Sequence, residues 1–304
     1  MTNPKFSVII SAYKDTGWAV IEACRTLERA GGWTYEILVA DNSPHGRFFE
    51  VLGNAMASDK EPSLLVVREP APGKTRAQNR AIGLARGEIT VFLDDDVIPN
   101  RDLLAAYDDV FAHHQVAAVQ GRITLHFEDE AHVPGWLTPR LRLDLAEMDF
   151  PEFKKPFEMA LTGANMAIRR DVFAHLGGFD ENLGPGRSGS LEDEEFFHRL
   201  RAAGYTVAYT PHARARHLIS RDRLTFRRFA RLYRELGASE ARLSASLVKG
   251  GPVRFGFYTA RQIMRCVVRS LGAALRGRVG QAIEEGLNVF FHIGWWRTYA
   301  HQVR

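Results

Sequence analysis

Cysteine is nearly absent from this 304-residue chain: Cys24 and Cys266 are the only two, and neither has another cysteine or a histidine at ligand spacing. That excludes a disulfide framework and a structural zinc site, and it fits a reducing, cytoplasmic setting. Long apolar runs are missing too. The candidates near Val267 and Phe290 are interrupted by Arg269, Arg276 and His292. No apolar window reaches the ~18 residues a spanning helix needs, so none is expected. The N-terminus enters a strand-like run without the charged and hydrophobic regions of a secretory leader, so no leader is expected. Internal repeats and low-complexity tracts are also lacking, which excludes solenoids and biased disordered segments.

What is present is the composition of a soluble globular protein, 45% hydrophobic and 25% charged. The chain is long enough for one large domain, or one domain with an appendage. Its net charge of +4 hides an asymmetry. Residues 219–304 hold 16 Lys and Arg against 5 Asp and Glu, leaving 24 against 31 in residues 1–218. A basic tail on an acidic body points to an anionic surface or partner, or else to an ordinary solvated helix pair.

The first hundred residues alternate between apolar runs and amphipathic stretches. Phe6–Ser11, Glu36–Ala40, Leu64–Val67 and Ile89–Leu93 read as strands, while Thr16–Arg29, Phe48–Met56 and Arg76–Ala85 read as helices. Strands apolar throughout belong to a parallel sheet covered on both faces. Ligands of such Rossmann-like sheets sit at the carboxyl ends of the strands. Farther on, His126–Pro156 reads as a long irregular loop, Met159–Ile168 and Tyr205–Tyr209 as strands, and Leu191–Ala203 as a helix. Beyond His217 the pattern is helical, with Phe226, Phe229 and Tyr233 on one stripe.

Asp94, Asp95 and Asp96 follow directly on the apolar run ITVFL. Like charges at one strand end repel unless a cation lies among them. Capping of the next helix is the competing explanation, but Asn100 already suits that task. A hard divalent cation, Mg²⁺ or Mn²⁺, favours carboxylate and phosphate oxygens, so metal binding is the preferred reading. Asp41 ends the second apolar run on the same predicted edge, either contacting a base or ribose or forming an Asp-Asn-Ser turn. Gly73-Lys74-Thr75 is not a Walker A loop, because Arg68 stands where a glycine is needed. Lys74 and Arg76 remain as cations for a diphosphate, or as solvated surface groups. Glu192, Asp193, Glu194 and Glu195 open a helix after a glycine-rich stretch. There they complement the helix dipole or hold a general base. His217 ends TPHARARH, as a structural histidine or as a ligand.

In order and approximate spacing, five segments of this chain resemble those of family 2 glycosyltransferases, which are inverting enzymes of the GT-A fold. They are VIISAYK (8–14), VADNS (39–43), GKTRAQNRAIGLARGEITVFLDDD (73–96), TGANMAIRRDVFAHLGGFDENL (162–183) and EDEEFFHRLRAAGYTVAYTPHARARH (192–217). The resemblance covers about residues 5–218. It implies a mostly parallel central sheet flanked by helices, followed by a C-terminal helical extension over 219–304. It implies that Ser11, Ala12 and Tyr13 line the nucleotide pocket and that Asp41 contacts the base. Asp94 would reach ribose or metal, and Asp96 would ligate the metal of the DxD motif with His217 as an added ligand. Asp95, Lys74 and Arg76 would complete the donor site. Gly163 and Asn165 would border the donor sugar, with Gly178, Phe179, Asp180 and Glu192 toward the acceptor. Asp193 matches the catalytic base.

The implied reaction moves a sugar from a nucleotide-diphosphate donor, UDP-linked by default, to a hydroxyl of a saccharide or lipid-linked acceptor. A nucleotidyltransferase is the alternative, but SAYKDTGW lacks the Gly-rich, basic signature such an enzyme carries. A non-catalytic binding module has no need of both DDD and an Asp193 pair. The tail shows no nucleic-acid reader motif. Its basic, aromatic-rich helices suit peripheral association with an anionic membrane face near a lipid-linked acceptor, and equally a helical layer packing on the catalytic domain or on a second subunit of a homo-oligomer.

Overall fold

The computed structural model describes residues 3–13, 17–27, 34–46, 48, 52, 63–244 and 251–302. The helix expected over Phe48–Met56 lies almost wholly outside them. Strands β1 (Phe6–Ala12), β2 (Tyr35–Asp41), β3 (Ser63–Arg68) and β4 (Ile89–Asp94) pair in parallel in the order β3-β2-β1-β4. Every residue of β1 is buried, as continuous apolar runs covered on both faces require. Helices α1 (Gly17–Leu27) and α2 (Lys74–Leu84) are the described connections of this half.

Beyond β4 the eight-stranded sheet continues through β7 (Asn165–Arg169), β6 (Ala118–Phe127), β8 (Val207–Ile219) and β5 (Val97–Pro99). Here β4–β7, β6–β7 and β5–β8 are antiparallel. The sheet is therefore mixed, parallel across its first four strands. Its core is aromatic near β4: Phe92 meets Phe179 edge-on at 5.5 Å, and Phe179 lies 5.0 Å from Phe196.

Three local expectations change. The strand expected over Met159–Ile168 is confined to Asn165–Arg169. Asn100 does not cap the next helix with its side chain; α3 (Leu103–His113) follows Asp102, and Asn100 gives only its carbonyl to the Leu103 amide. The strand expected over Tyr205–Tyr209 runs on through TPHARARH to Ile219. Alternating residues Ala213, Ala215 and His217 face inward there while Arg214 and Arg216 face out, the period of two that marks a strand.

The chain divides into two compact units. One holds residues 1–126, 146–181 and 192–218, and the other 127–145, 182–191 and 219–304. In the second, α4 (Pro139–Leu143) is capped by Thr138, whose hydroxyl also donates to Glu284. Ser239 likewise donates to Ser188 (2.8 Å). Helices α7 (Phe226–Ser244), α8 (Gly251–Leu275) and α9 (Val279–Gln302) make up the rest. The long loop thus contributes ordered structure to the C-terminal helices. The first unit also holds α5 (Arg170–Leu176) and α6 (Glu192–Ala202). Among the described residues, no helix is long and apolar enough to cross a membrane.

Glycine permits the closest approach of α7 to α9. A Cβ on Gly237 would overlap the Phe291 carbonyl oxygen, and one on Gly294 would overlap the Arg234 carbonyl oxygen. Forcing a methyl into such a contact costs about 1–3 kcal/mol. Gly294→Ala is accordingly expected to lower the thermal midpoint by several degrees in calorimetry, whereas Gly83→Ala, in open space, should not.

Candidate active site

The parallel register determines which side chains share the carboxyl edge of the sheet. Ala12 stands opposite Asp41, and Ser11 stands opposite both Ala40 and Asp94. Four sequence-predicted residues, Ser11, Ala12, Asp41 and Asp94, thus end up in one row. Tyr13 follows with its ring 57% exposed, and its amide donates to Asp95 Oδ2 (2.9 Å). Asp95 accordingly fixes the backbone of Tyr13 just after β1.

Asp41 is fully buried. Its Oδ1 accepts hydrogen bonds from the Ser43 amide and hydroxyl (2.9 and 2.6 Å), and Arg68 Nη1 lies 3.6 Å away. Its Oδ2 has no partner among the described residues. Arg68, visible in the sequence only as the residue that breaks a Walker A loop, is thus the counter-charge of Asp41 and anchors the Ser43 carbonyl (2.5 Å). Asn42 ties the same turn to the next loop, donating to the Glu69 and Ala71 carbonyls and accepting from the Gly73 amide.

Lys74, at the start of α2, occupies the centre. Its Nζ lies 2.7 Å from Asp94 Oδ1 and 3.6 Å from Glu192 Oε1. Burial alone would depress an ammonium, but Asp94 and then Glu192 outweigh it and hold Lys74 charged well above its ordinary range. Glu192 is pushed up to about 7, by burial first and by the neighbouring Asp193 second, with Lys74 opposing. Asp193 is also raised, by burial, while Lys74 and backbone amides pull it back. Both of its oxygens are aimed: Oδ2 accepts from the Gly163 amide and Oδ1 from the Glu194 amide, each at 3.0 Å. Gly163 therefore orients Asp193.

Asp96 and His217 come together as a second focus. Their Oδ1 and Nε2 are 3.2 Å apart, and both side chains are nearly buried. The Val97–His217 register of β5 on β8 produces this pairing. Among the described residues no group of three or more His, Cys, Asp or Glu side chains forms a metal cluster. A carboxylate beside an imidazole does fit part of the donor set of a Mn²⁺- or Mg²⁺-type ion whose remaining ligands are phosphate oxygens and water.

Several expected site residues have other tasks. Asn165 is fully buried: its oxygen accepts from the Tyr107 hydroxyl (2.8 Å), and its nitrogen donates to the Arg122 and Ala213 carbonyls (3.1 and 2.9 Å). It is a joint of the sheet. Phe179 is 4% exposed within the aromatic core. Gly178 presents its carbonyl to Arg199 (2.7 Å). Arg76 lies beside Glu181 (3.4 Å). Asp180 stays half-buried next to these. Two side chains that sequence reasoning passed over belong here. Gln78 donates to the Ser11 hydroxyl (3.0 Å), while its own oxygen is buried without a partner among the described residues. Asn79 bonds both the amide and the carbonyl of Phe179 (2.8 and 2.9 Å). Their signal was their place in α2, four and five residues after Lys74.

Comparisons with known proteins agree with this architecture. The family described as glycosyltransferase like family 2 matches residues 4–238. The succinoglycan biosynthesis protein ExoM of Rhizobium meliloti (strain 1021) is 27% identical over 216 residues, which is 70% of this chain and 66% of that protein. The mannosyltransferase PcManGT from Pyrobaculum calidifontis, solved in complex with GDP-Man and Mn²⁺, superposes with a TM-score of 0.62 at 18% identity, covering 99% of this chain and 87% of the other. S. aureus TarS 1-349, in complex with UDP-GlcNAc, gives 0.53 at 14% identity, covering 95% and 92%.

The cluster makes its own thermodynamic demand. Because the folded-state pKa of Glu192 lies above its unfolded value of 4.5, its contribution to stability is fully present below that value and is lost as pH rises through about 7. Lys74→Met should lower the unfolding midpoint at about pH 8, with the gap to the parent narrowing at about pH 6 as Glu192 takes up a proton. An equal gap at both pH values in calorimetry would show that Lys74 is not the counter-ion.

Proposed function

This chain belongs to the family 2 glycosyltransferases, and we propose that it is an inverting enzyme. It would move a sugar from a nucleotide-diphosphate donor to an acceptor hydroxyl, with Asp193 as general base. The observation that carries the reading is Lys74, whose one ammonium joins Asp94 at the end of β4 to Glu192 at the start of α6, beside Asp193. The donor edge and the base therefore share a single charged centre.

The row of Ser11, Ala12, Asp41 and Asp94 would take the nucleoside. The unpartnered Asp41 Oδ2 suits a hydrogen-bond donor on a base, and Tyr13 offers an exposed ring just after β1. Asp96, with His217 and Asp94, would hold Mg²⁺ or Mn²⁺. When bound, the ion supplies Lewis-acid stabilisation to the departing diphosphate. Lys74 adds a second positive charge where that leaving group gains negative charge. Asp193, aimed by the Gly163 amide, accepts the proton of the attacking hydroxyl. Its raised pKa makes it a better base than an ordinary surface carboxylate.

GDP-Man and UDP-GlcNAc, the ligands of the two structural relatives, both belong to this donor class, and UDP remains our default nucleotide. We place the acceptor among saccharides and lipid-linked saccharides, in line with the polysaccharide role in the ExoM name. Catalysis is assigned to residues 1–218. Residues 219–304 are assigned to peripheral membrane association on the cytoplasmic side.

A panel of nucleotide sugars assayed with and without Mn²⁺ tests the donor class. Exhaustive chelation should abolish transfer, and full activity in chelator would refute the metal role. Asp193→Asn should retain donor binding in calorimetry while the transfer rate falls about 10²–10⁴-fold. Wild-type transfer by that variant would sink the assignment. The acidic limb of the pH–rate profile belongs to the coupled Glu192–Asp193 pair. Activity should climb toward about pH 7, and Glu192→Gln should move the limb to lower pH by removing a neighbouring negative charge.

A further inference from the structure

Helix α8 has two unlike sides. Thr259, Cys266 and Ala273 are buried on one, where Ser270 donates to the Ala282 carbonyl of α9 (2.7 Å). Phe257, Met264, Val268, Leu271 and Leu275 fall on the other side, within about 60° of one another at 3.6 residues per turn. These five are exposed at 76%, 63%, 61%, 60% and 89%. Arg261, Arg265 and Arg269 line one edge of the stripe, all exposed, and α8 contains no Asp or Glu. Arg269 reaches Glu285 only at 3.9 Å. Arg276 and Arg278 continue the exposed basic edge into the turn before α9, beside exposed Val279.

A continuous apolar stripe on an otherwise packed helix is costly in water and marks a surface that is covered in use. We propose that this face of α8 docks on an anionic lipid bilayer, lying in its plane with the apolar stripe in the acyl boundary and the arginines on the headgroups. A second copy of the chain is a poorer occupant. Pairing two such faces would set arginines against arginines with no carboxylate on either helix to relieve them. The inference rests on the membrane association proposed above and deepens it by naming the face and the lipid chemistry.

The test is flotation of the full chain with phosphatidylcholine vesicles, with and without about one-third phosphatidylglycerol, at low and high salt. The parent should float with the anionic vesicles and much less with neutral ones. The exposed-site variant Val268→Glu/Leu271→Glu should lose binding at least about tenfold. Each of Arg261→Gln and Arg265→Gln should weaken it about fivefold. Circular dichroism and donor binding of each variant should match the parent, since none of these residues lies in the catalytic machinery. If the parent floats and the double variant floats equally, the face is wrong although membrane association stands. If the parent floats with neither vesicle, both readings fail. A dimer in light scattering that the double variant dissolves would overturn the bilayer in favour of self-association.

Discussion

The site depends on one ammonium among carboxylates. Asp94 ends a strand, and Glu192 and Asp193 begin a helix about a hundred residues later. No local preference brings these two elements together. Three buried or half-buried acids in one place repel strongly, and a low-dielectric setting magnifies the repulsion. Lys74 between them makes the arrangement tolerable at neutral pH. The same charge that stabilises these carboxylates would stabilise a diphosphate, so folding and donor recognition would ask for the same residue at the same point.

The rest of the first unit brings those groups within reach of Lys74. Parallel register aligns Ser11, Ala12, Asp41 and Asp94 because β1, β2 and β4 rise side by side and end together. The antiparallel half then supplies what a purely parallel sheet would not. Strand β7 returns against β4 and places Gly163, just before it, where its amide can orient Asp193. Asn165, the first residue of β7, binds Tyr107 and two neighbouring carbonyls so that this return strand cannot slip. On β8, strict alternation puts His217 on the inner face beside Asp96 and sends Arg214 and Arg216 outward.

Local chemistry made part of this legible in the sequence. Continuous apolar runs announced β1, β2 and β4, and charge immediately after such a run marked Asp94 to Asp96 as the carboxyl edge. What the sequence could not show was pairing at a distance. Nothing near Lys74 points to Glu192, and nothing near Arg68 points to Asp41 except the β2–β3 register that the fold creates. The family resemblance implied Asn165 as a donor-sugar contact, while the hydrogen bonds it makes are those of a sheet joint. Phe179 and Gly178 sat inside a matching motif whose spacing reflects packing on Asn79, Arg199 and the aromatic core as much as contact with substrate.

The charge asymmetry noted along the chain acquires a location in the second unit. Helices α7 and α9 approach closely through Gly237 and Gly294, so their shared side is used up by packing. Helix α8 is held against α9 through small or partly polar groups, Thr259, Cys266, Ser270 and Ala273, which leave its large apolar side chains on the far side. A helix intended only to complete a core would carry its bulk inward and its charge outward. Here bulk and positive charge lie outward together, a combination that water disfavours and an anionic apolar boundary accommodates. Arg261, Arg265, Arg269, Arg276 and Arg278, part of the arginine excess in residues 219–304, thus share one helix and its following turn with the exposed apolar stripe.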